Sequence, residues 1–181
     1  MKIAFSGVQC VGKSTLLHSM ENMEKFKNLE FVYECIRKLK GKVKINENGD
    51  DNTQIAIANC HIENLERDNT VLDRCLLDCY AYTLWMYENG KITEGTKKII
   101  EDLYNNNIIK YDKIFYIRPE FDIIPDGVRS ISNEFRNETL KHFEHLVNSF
   151  SVKNKIVILT GSVENRIKQI EEALDEEIKT N

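Results

Sequence analysis

The residues with the most clearly defined chemistry lie near the start of the chain, in the stretch Gly7-Val8-Gln9-Cys10-Val11-Gly12-Lys13-Ser14. This stretch matches G-x-x-x-x-G-K-[ST] at every fixed position, between an apolar run and a helix-like segment that begins at Thr15. The two glycines let the backbone approach phosphate groups, successive N–H groups form an anion-binding nest, and a helix N-terminus adds its positive dipole end. We therefore predict that residues 7–15 bind the phosphates of ATP. Within them, Lys13 is expected to contact the β- and γ-phosphates, and the Ser14 hydroxyl to bind Mg²⁺.

The elements that position this loop alternate between strands and helices. Apolar and β-branched runs predict strands over residues 2–6, 30–34, 69–73, 113–117 and 155–159. Apolar spacing and start signals predict helices over residues 13–24, 53–67, 76–87, 94–105 and 133–150, and a last helix after Gly161-Ser162. This alternation predicts a parallel sheet covered on both faces, a three-layer α/β/α fold. A chain of 181 residues predicts one domain over residues 1–181, with a small lid at about 120–137.

Composition and charge exclude some classes of protein. Hydrophobic residues make up 41% and charged residues 30% of the chain, which is typical of a soluble globular domain. The net charge of -4 argues against a nucleic-acid partner, and no apolar run is long enough to span a membrane. A strand at the very N-terminus leaves no room for a signal peptide, so the expected location is cytoplasmic. The five cysteines are odd in number and form no C-x-x-C pair, so neither a disulfide nor a zinc site is predicted.

Two acidic residues follow predicted strands at the edge where an open parallel sheet binds its ligands. Asp73 ends the third strand, and it is the acid expected to bind Mg²⁺ directly or through water. Its alternative role is a helix N-cap or a turn. Glu34 ends the second strand, where it could orient a substrate hydroxyl or take its proton as general base. The alternative for Glu34 is a surface acid that pairs with Arg37 or Lys38.

Several arginines accompany these acids. Arg37, Arg74 and Arg118 follow the second, third and fourth strands, and we predict that they bind the acceptor substrate. Arg74 could instead form an ion pair that ties the third strand to a neighbour. Arg129 and Arg136 lie in the predicted lid, where a closing segment would neutralise charge on the transferred phosphoryl group. Arg129 is also expected to contact ATP, and solvated arginines on a helix are the alternative for both.

The chain resembles the P-loop nucleoside and nucleotide kinases over nearly its whole length. It is most similar to the group that includes the nicotinamide riboside kinase domain of bifunctional bacterial NAD-biosynthesis regulators and related phage-type kinases grouped with AAA-like ATPases. The resemblance is carried by residues 7–14, Glu34-x-x-Arg37, Asp73-Arg74, Asp126-Gly127-x-Arg129 and Arg136.

This resemblance implies a strand order of 2-3-1-4-5, with ATP and Mg²⁺ as the phosphoryl donor. It also implies an acceptor that lies over Glu34, Arg37 and residues 73–74, and an adenine near residues 161–166. One departure concerns the thymidylate kinases, in which Asp-Arg-Tyr stands where this chain has Asp73-Arg74-Cys75. The identity of the acceptor therefore stays open.

These observations predict an enzyme, an ATP-dependent kinase for a small nucleotide or nucleoside. A deoxynucleoside monophosphate is the preferred acceptor, because a phosphate needs cations in its pocket and the chain supplies many arginines. A nucleoside acceptor, similar to nicotinamide riboside, would instead need Glu34 or Asp73 as base. Two further alternatives are a polynucleotide or modified-base DNA kinase that uses the basic residues 37–44, and a nucleotide-dependent switch. Whether the chain forms a homodimer is left open.

Overall fold

A five-stranded parallel sheet organises the protein. The computed structural model describes residues 1–120, 132–149 and 151–180, with side chains described as far as residue 175. The strands are β1 (Lys2–Ser6), β2 (Glu30–Val32), β3 (Thr70–Asp73), β4 (Lys113–Ile117) and β5 (Ile156–Leu159). Their order in the sheet is β2-β3-β1-β4-β5, and all four pairings are parallel. This confirms the predicted fold class and the predicted strand order.

Helices connect the strands and cover the sheet. They are α1 (Lys13–Glu21), α2 (Cys35–Leu39), α3 (Asp51–Leu65), α4 (Leu76–Glu88), α5 (Glu94–Asn107), α6 (Asn133–Val147) and α7 (Val163–Thr180). Helix α1 packs against α7, whereas α4 packs against α3, α5 and α6. Right-handed crossovers in this strand order place those two groups on opposite faces of the sheet. In the described part of the chain, no helix combines the length and apolar character needed to span a membrane.

The central strands are buried on both sides, as expected for a sheet with helices on each face. Ile3, Ala4 and Phe5 of β1 have no solvent-accessible surface, and the ring of Phe5 stacks on that of Phe115 with centroids 5.3 Å apart. In the sheet register, Phe5 lies beside Asp73 on one side and beside Phe115 on the other. The end of β1, the end of β3 and the loop after β1 therefore meet at one edge.

The structure differs from the sequence-based prediction between β2 and α3. Strand β2 ends at Val32, so Glu34 does not end the strand but is the N-cap residue of α2. Helix α2 was not predicted, because five residues are too few to show a helical apolar period. The end of β2 matters for the site, because the chain turns between Val32 and Cys35 and Glu34 lies in that turn.

The prediction that the cysteines form no disulfide was wrong. Cys35 at the start of α2 and Cys60 on α3 form a disulfide bond, with a sequence separation of 25 and Cα atoms 6.2 Å apart. Their spacing carries no signal for this pairing, because only the packing of α2 against α3 brings the two residues together. Cys35 is buried and Cys60 is partly exposed. The bond tethers the residue next to Glu34 to a long helix.

We expect reduction of this disulfide to lower the free energy of unfolding by about 3 kcal/mol, because the tether closes a chain loop in the unfolded state. Urea denaturation with and without a dithiol reductant measures the change. The double variant Cys35→Ser with Cys60→Ser is the matched control, since its unfolding midpoint should not respond to the reductant. An unchanged midpoint for the wild-type protein under reducing conditions would contradict the expectation.

Candidate active site

The loop between β1 and α1 has the shape of a phosphate cradle. Gly7 and Gly12 adopt φ values of 138° and 88°, and Gly12 is the N-cap of α1, which begins at Lys13. A Cβ atom at Gly7 would overlap the carbonyl oxygen of Ile117 on β4, so the first glycine is required by both its φ and its close neighbour. The start of a helix that follows such a glycine loop is a typical anion-binding position.

Lys13 is buried within this loop. Its Nζ donates hydrogen bonds to the carbonyl oxygens of Gly7 and Val8, each at 2.7 Å. The ammonium group therefore lies against the backbone of the predicted phosphate-binding loop. Contact with the β- and γ-phosphates would exchange these carbonyl bonds for stronger bonds to charged oxygens.

Ser14 and Asp73 form a corner suited to a hard cation. The Ser14 hydroxyl donates to Asp73 Oδ2 at 2.8 Å, while Asp73 Oδ1 is buried and has no hydrogen-bond partner among the described residues. Burial raises the pKa of Asp73, the nearby charge of Glu34 raises it further, and Lys13 and Arg74 act in the opposite direction. The N-cap of α4 is Cys75, so Asp73 is not the cap residue that was its alternative role.

This corner fits Mg²⁺. Serine and aspartate oxygens are ligands that Mg²⁺ accepts, and the ion commonly completes its shell with waters and substrate phosphates. Within the described residues, no group of three or more His, Cys, Asp or Glu side chains could hold a metal ion. A site with two protein oxygens is therefore consistent with a cation bound together with a nucleotide. Ser14 and Asp73 would hold the ion, which neutralises phosphate charge when bound.

Arg74 connects the ends of three strands. Its Nε donates to Glu34 Oε1, and its Nη1 donates to the carbonyl oxygen of Gly7 at 3.1 Å and to Asp78 Oδ1 at 3.0 Å. Arg74 also has a φ of 80°, a backbone conformation that is strained for a residue with a side chain. The ion-pair role considered for Arg74 is what the structure shows, and the pairing fixes the carboxylate of Glu34.

Asp78 is a site residue that sequence reasoning missed. Its Oδ1 accepts from the backbone N–H of Gly7, and its Oδ2 accepts from the backbone N–H of Cys75, each at 3.2 Å. The available signal was its position in the first turn of α4, four residues after Arg74. Asp78 joins the phosphate loop to the turn after β3.

A pocket opens beside this network and encloses about 660 Å³, with its open mouth included. Its polar wall includes Gln9, Glu34, Gln54, His61, Arg74 and Asp78. Its apolar wall includes Ile36, Ile57, Tyr82, Met86 and Phe135. Glu34, Arg74 and Asp78 are the only charged side chains in the described lining, since burial lowers the pKa of His61 to about 4 and leaves its ring neutral at pH 7.

Gln54 and Tyr82 were not among the predicted site residues. Gln54 on α3 is buried, accepts from the Thr83 hydroxyl at 3.0 Å, and has its Nε2 2.8 Å from the Met86 sulfur. Tyr82 on α4 forms a cation–π contact with Arg74, in which the guanidinium carbon lies 5.3 Å from the ring centroid. The sequence signal for Gln54 is weak, because the polar residues Thr53, His61 and Asn64 are buried on the same helix.

The other predicted arginines lie in different places. Arg37 on α2 has its Nε 3.7 Å from Glu34 Oε2, and its side chain is 40% exposed. Arg118 makes two hydrogen bonds of 2.8 Å to the carboxylate of Glu144 on α6 and does not line the pocket. Arg136 is buried on α6 and directly follows the pocket residue Phe135. Arg129 lies outside the described residues, as does most of the predicted lid.

Arg166 on α7 braces the phosphate loop from the other side. Its Nη1 donates to the carbonyl oxygen of Val11 at 2.9 Å, and its Nη2 donates to Glu120 Oε2 at 3.0 Å. Glu120 in turn accepts from the backbone N–H of Gly161. Residues 161–166 thus lie beside the loop, and their contact with adenine stays a prediction.

With this geometry established, comparison with known proteins shows the family. The sequence profile of a family described as an AAA domain matches residues 2–166. The chain belongs to this AAA domain family. No protein of curated function matches the sequence.

Solved structures with the same fold include nucleoside kinases. The structure of NadR protein in complex with NR superposes with a TM-score of 0.75 at 18% identity, covering 94% of this chain and 50% of that one. A deoxyadenosine kinase from M. mycoides with the products dCMP and dCDP gives 0.66 at 18%, covering 97% and 99%. YorR from Bacillus subtilis with phosphorylated GDP gives 0.58 at 14%, covering 99% and 98%.

The chain therefore spans about half the length of NadR and nearly the full length of the other two proteins. At these identities the likeness shows the fold, which is that of the P-loop kinases.

Replacing Asp73 by asparagine tests the Mg²⁺ site formed by Ser14 and Asp73. Because burial raises the pKa of Asp73, the ionised carboxylate lowers the stability of the folded state at neutral pH. We therefore expect Asp73→Asn to raise Tm at pH 7. The gain should shrink as the pH falls through the raised pKa of Asp73 toward the ordinary Asp range, because the wild-type carboxyl then becomes protonated in the folded state. At the same time, Mg²⁺-dependent ATP binding should weaken by at least about 10-fold, since removal of a group that only orients a metal ligand already costs about 10- to 100-fold.

Thermal unfolding between pH 4 and 7, and calorimetry of ATP with and without Mg²⁺, measure these effects. Exposed Asp68, which pairs with Lys2 away from the pocket, offers the control variant Asp68→Asn. A lower Tm for Asp73→Asn, or an unchanged Mg²⁺ dependence, would contradict the assignment.

Proposed function

We propose that this protein is an ATP- and Mg²⁺-dependent kinase that phosphorylates a hydroxyl group of a nucleoside. The observation that carries the proposal is the charge of the pocket. Arg74 is the one cation in its described lining, and it is paired with the carboxylates of Glu34 and Asp78. Two acids against one guanidinium leave a net negative wall, which suits an uncharged acceptor and repels a phosphate.

We infer that Glu34 acts as the general base. Its carboxylate lines the pocket. It is also connected to the phosphate loop, because Arg74 donates both to Glu34 and to the carbonyl oxygen of Gly7. In the proposed step, Glu34 takes the proton of the acceptor hydroxyl as the hydroxyl oxygen bonds to the γ-phosphorus of ATP. The bond between the γ-phosphorus and the bridging oxygen breaks, and ADP leaves. Lys13 offsets the negative charge on the phosphate oxygens, and Mg²⁺ would supply further neutralisation at Ser14 and Asp73.

The remaining pocket walls suit a nucleoside base. Tyr82 and Phe135 are aromatic rings 5.7 Å apart, and the carboxamide of Gln54 presents polar atoms among them. A flat heterocycle is bound well by such a combination of aromatic surface and fixed hydrogen-bonding groups. Nucleoside kinases and nucleotide complexes among the structural neighbours support an acceptor of this size.

The deoxynucleoside monophosphate preferred from the sequence stays a prediction, and the geometry supports the nucleoside instead. The preference depended on arginines near the acceptor. Arg74 is paired with two carboxylates and also donates to the Gly7 carbonyl oxygen, and Arg118 pairs with Glu144 outside the pocket. Arg37 lies beside Glu34, with its side chain 40% exposed, and does not line the pocket.

Turnover with ATP and Mg²⁺ against a matched panel of nucleosides and their 5′-monophosphates tests the proposal. We expect nucleosides to be phosphorylated with the higher kcat/KM. Glu34→Gln should lower kcat by about 10²- to 10⁴-fold, because it removes the base but keeps the shape of the side chain. The KM for ATP should change little.

The control for this variant is Glu30→Gln, which removes an acid from an exposed ion pair with Arg67 at the other end of β2 and should leave kcat unchanged. Faster turnover of monophosphates would replace the proposal with the monophosphate kinase. A kcat for Glu34→Gln close to that of the wild type would exclude Glu34 as the base.

A further inference from the structure

Gln9 is a buried loop residue with an unused hydrogen-bond donor. It is the third residue of the phosphate loop, its side chain is 2% exposed, and it lines the pocket. Its Nε2 carries two N–H groups and has no hydrogen-bond partner in the described part of the chain. A buried amide of this kind is costly unless something binds it, so a donor without a partner at a pocket wall points to a ligand atom.

The orientation of the Gln9 carboxamide is fixed by Tyr82. The Tyr82 hydroxyl donates to Gln9 Oε1 at 3.0 Å. Burial raises the pKa of Tyr82, so its hydroxyl keeps the proton that this bond requires. With Oε1 held against Tyr82, the Nε2 group is fixed as well, and it needs no rearrangement to bind a substrate.

The position of Gln9 along the chain indicates which part of the acceptor it meets. Gln9 belongs to the loop that would bind the triphosphate, so it lies at the end of the pocket where phosphoryl transfer takes place. A nucleoside must place its sugar at that end and its base at the far end, toward Gln54 and Met86. The sugar offers hydroxyl oxygens that can accept a hydrogen bond from an amide N–H.

We propose that Gln9 is a specificity residue, and that its Nε2 donates a hydrogen bond to a secondary hydroxyl oxygen of the acceptor sugar. The attacked primary hydroxyl is engaged by Glu34, so the secondary hydroxyl is the oxygen left for Gln9. This inference rests on the proposed nucleoside kinase activity. It adds that the phosphate loop itself contacts the acceptor, through Gln9. Gln9 is the one long polar side chain among the variable positions 8–11 of the motif.

A double-mutant cycle between protein and substrate tests the contact. Wild type and Gln9→Met, which keeps the length of the side chain but has no N–H donor, are assayed with a nucleoside and with its 2′-deoxy and 3′-deoxy analogues. For the wild type, we expect removal of the contacted hydroxyl to lower kcat/KM by about 10-fold, the effect of one hydrogen bond with a buried donor left unpaired. For Gln9→Met, the same removal should have no effect. The KM for ATP should stay within about twofold of the wild-type value.

Gln9→Leu serves as a second variant if Gln9→Met unfolds, and thermal unfolding checks both. Equal discrimination by wild type and variant against both deoxy analogues would overturn the inference. A parallel loss of ATP affinity and acceptor affinity would also overturn it, because that result indicates a structural role in the loop. Failure of the proposed function is distinguishable, since it would show in the wild-type enzyme as absence of nucleoside turnover. In that case, calorimetry of the nucleoside panel against wild type and Gln9→Met still decides whether Gln9 reads a sugar hydroxyl.

Discussion

The site depends on the buried ion pairs of Arg74. One guanidinium holds Glu34 at the N-cap of α2, Asp78 on α4 and the carbonyl oxygen of Gly7 in the phosphate loop. Buried charges of this kind are stable only as a set, because removing one partner leaves another charge desolvated at a cost of about 3–5 kcal/mol. The strained φ of Arg74 adds about 1–3 kcal/mol, and these contacts offset it. The network thus fixes three strand ends relative to one another.

That constraint determines what each group can do. Because Arg74 pairs with two carboxylates, its charge is largely balanced within the site. Because Asp78 also accepts from Gly7 N–H, the start of the phosphate loop is fixed by the same side chain that fixes Arg74. Glu34 and the phosphate loop are therefore parts of one hydrogen-bonded unit. Their spacing does not depend on a long loop.

The sequence was sufficient to predict the features that depend on a local motif or on the alternation of strands and helices. The glycine-lysine motif, the parallel sheet and the position of Asp73 at a strand end are of this kind. Arg118 shows the limit of such reasoning. The rule for parallel sheets selects the edge at which a residue lies, but not the direction in which its side chain turns, and here Glu144 on α6 holds it away from the pocket. Asp78 and Gln54 were missed because each has a hydrogen-bond partner in a distant segment.

The placement of Glu34 shows why long-range packing matters most for the chemistry. Helix α2, which Glu34 caps, has five residues, and a helix of that length is not stable by itself. Its position comes from two tethers of different nature: the ion pair from Glu34 to Arg74 and the disulfide from Cys35 to Cys60 on α3. The covalent tether limits the freedom of α2 in the unfolded chain, whereas the ionic tether orients the carboxylate in the folded one. Neither tether can be deduced from the residues around Glu34, because each requires the α3 and β3 segments to be in place first.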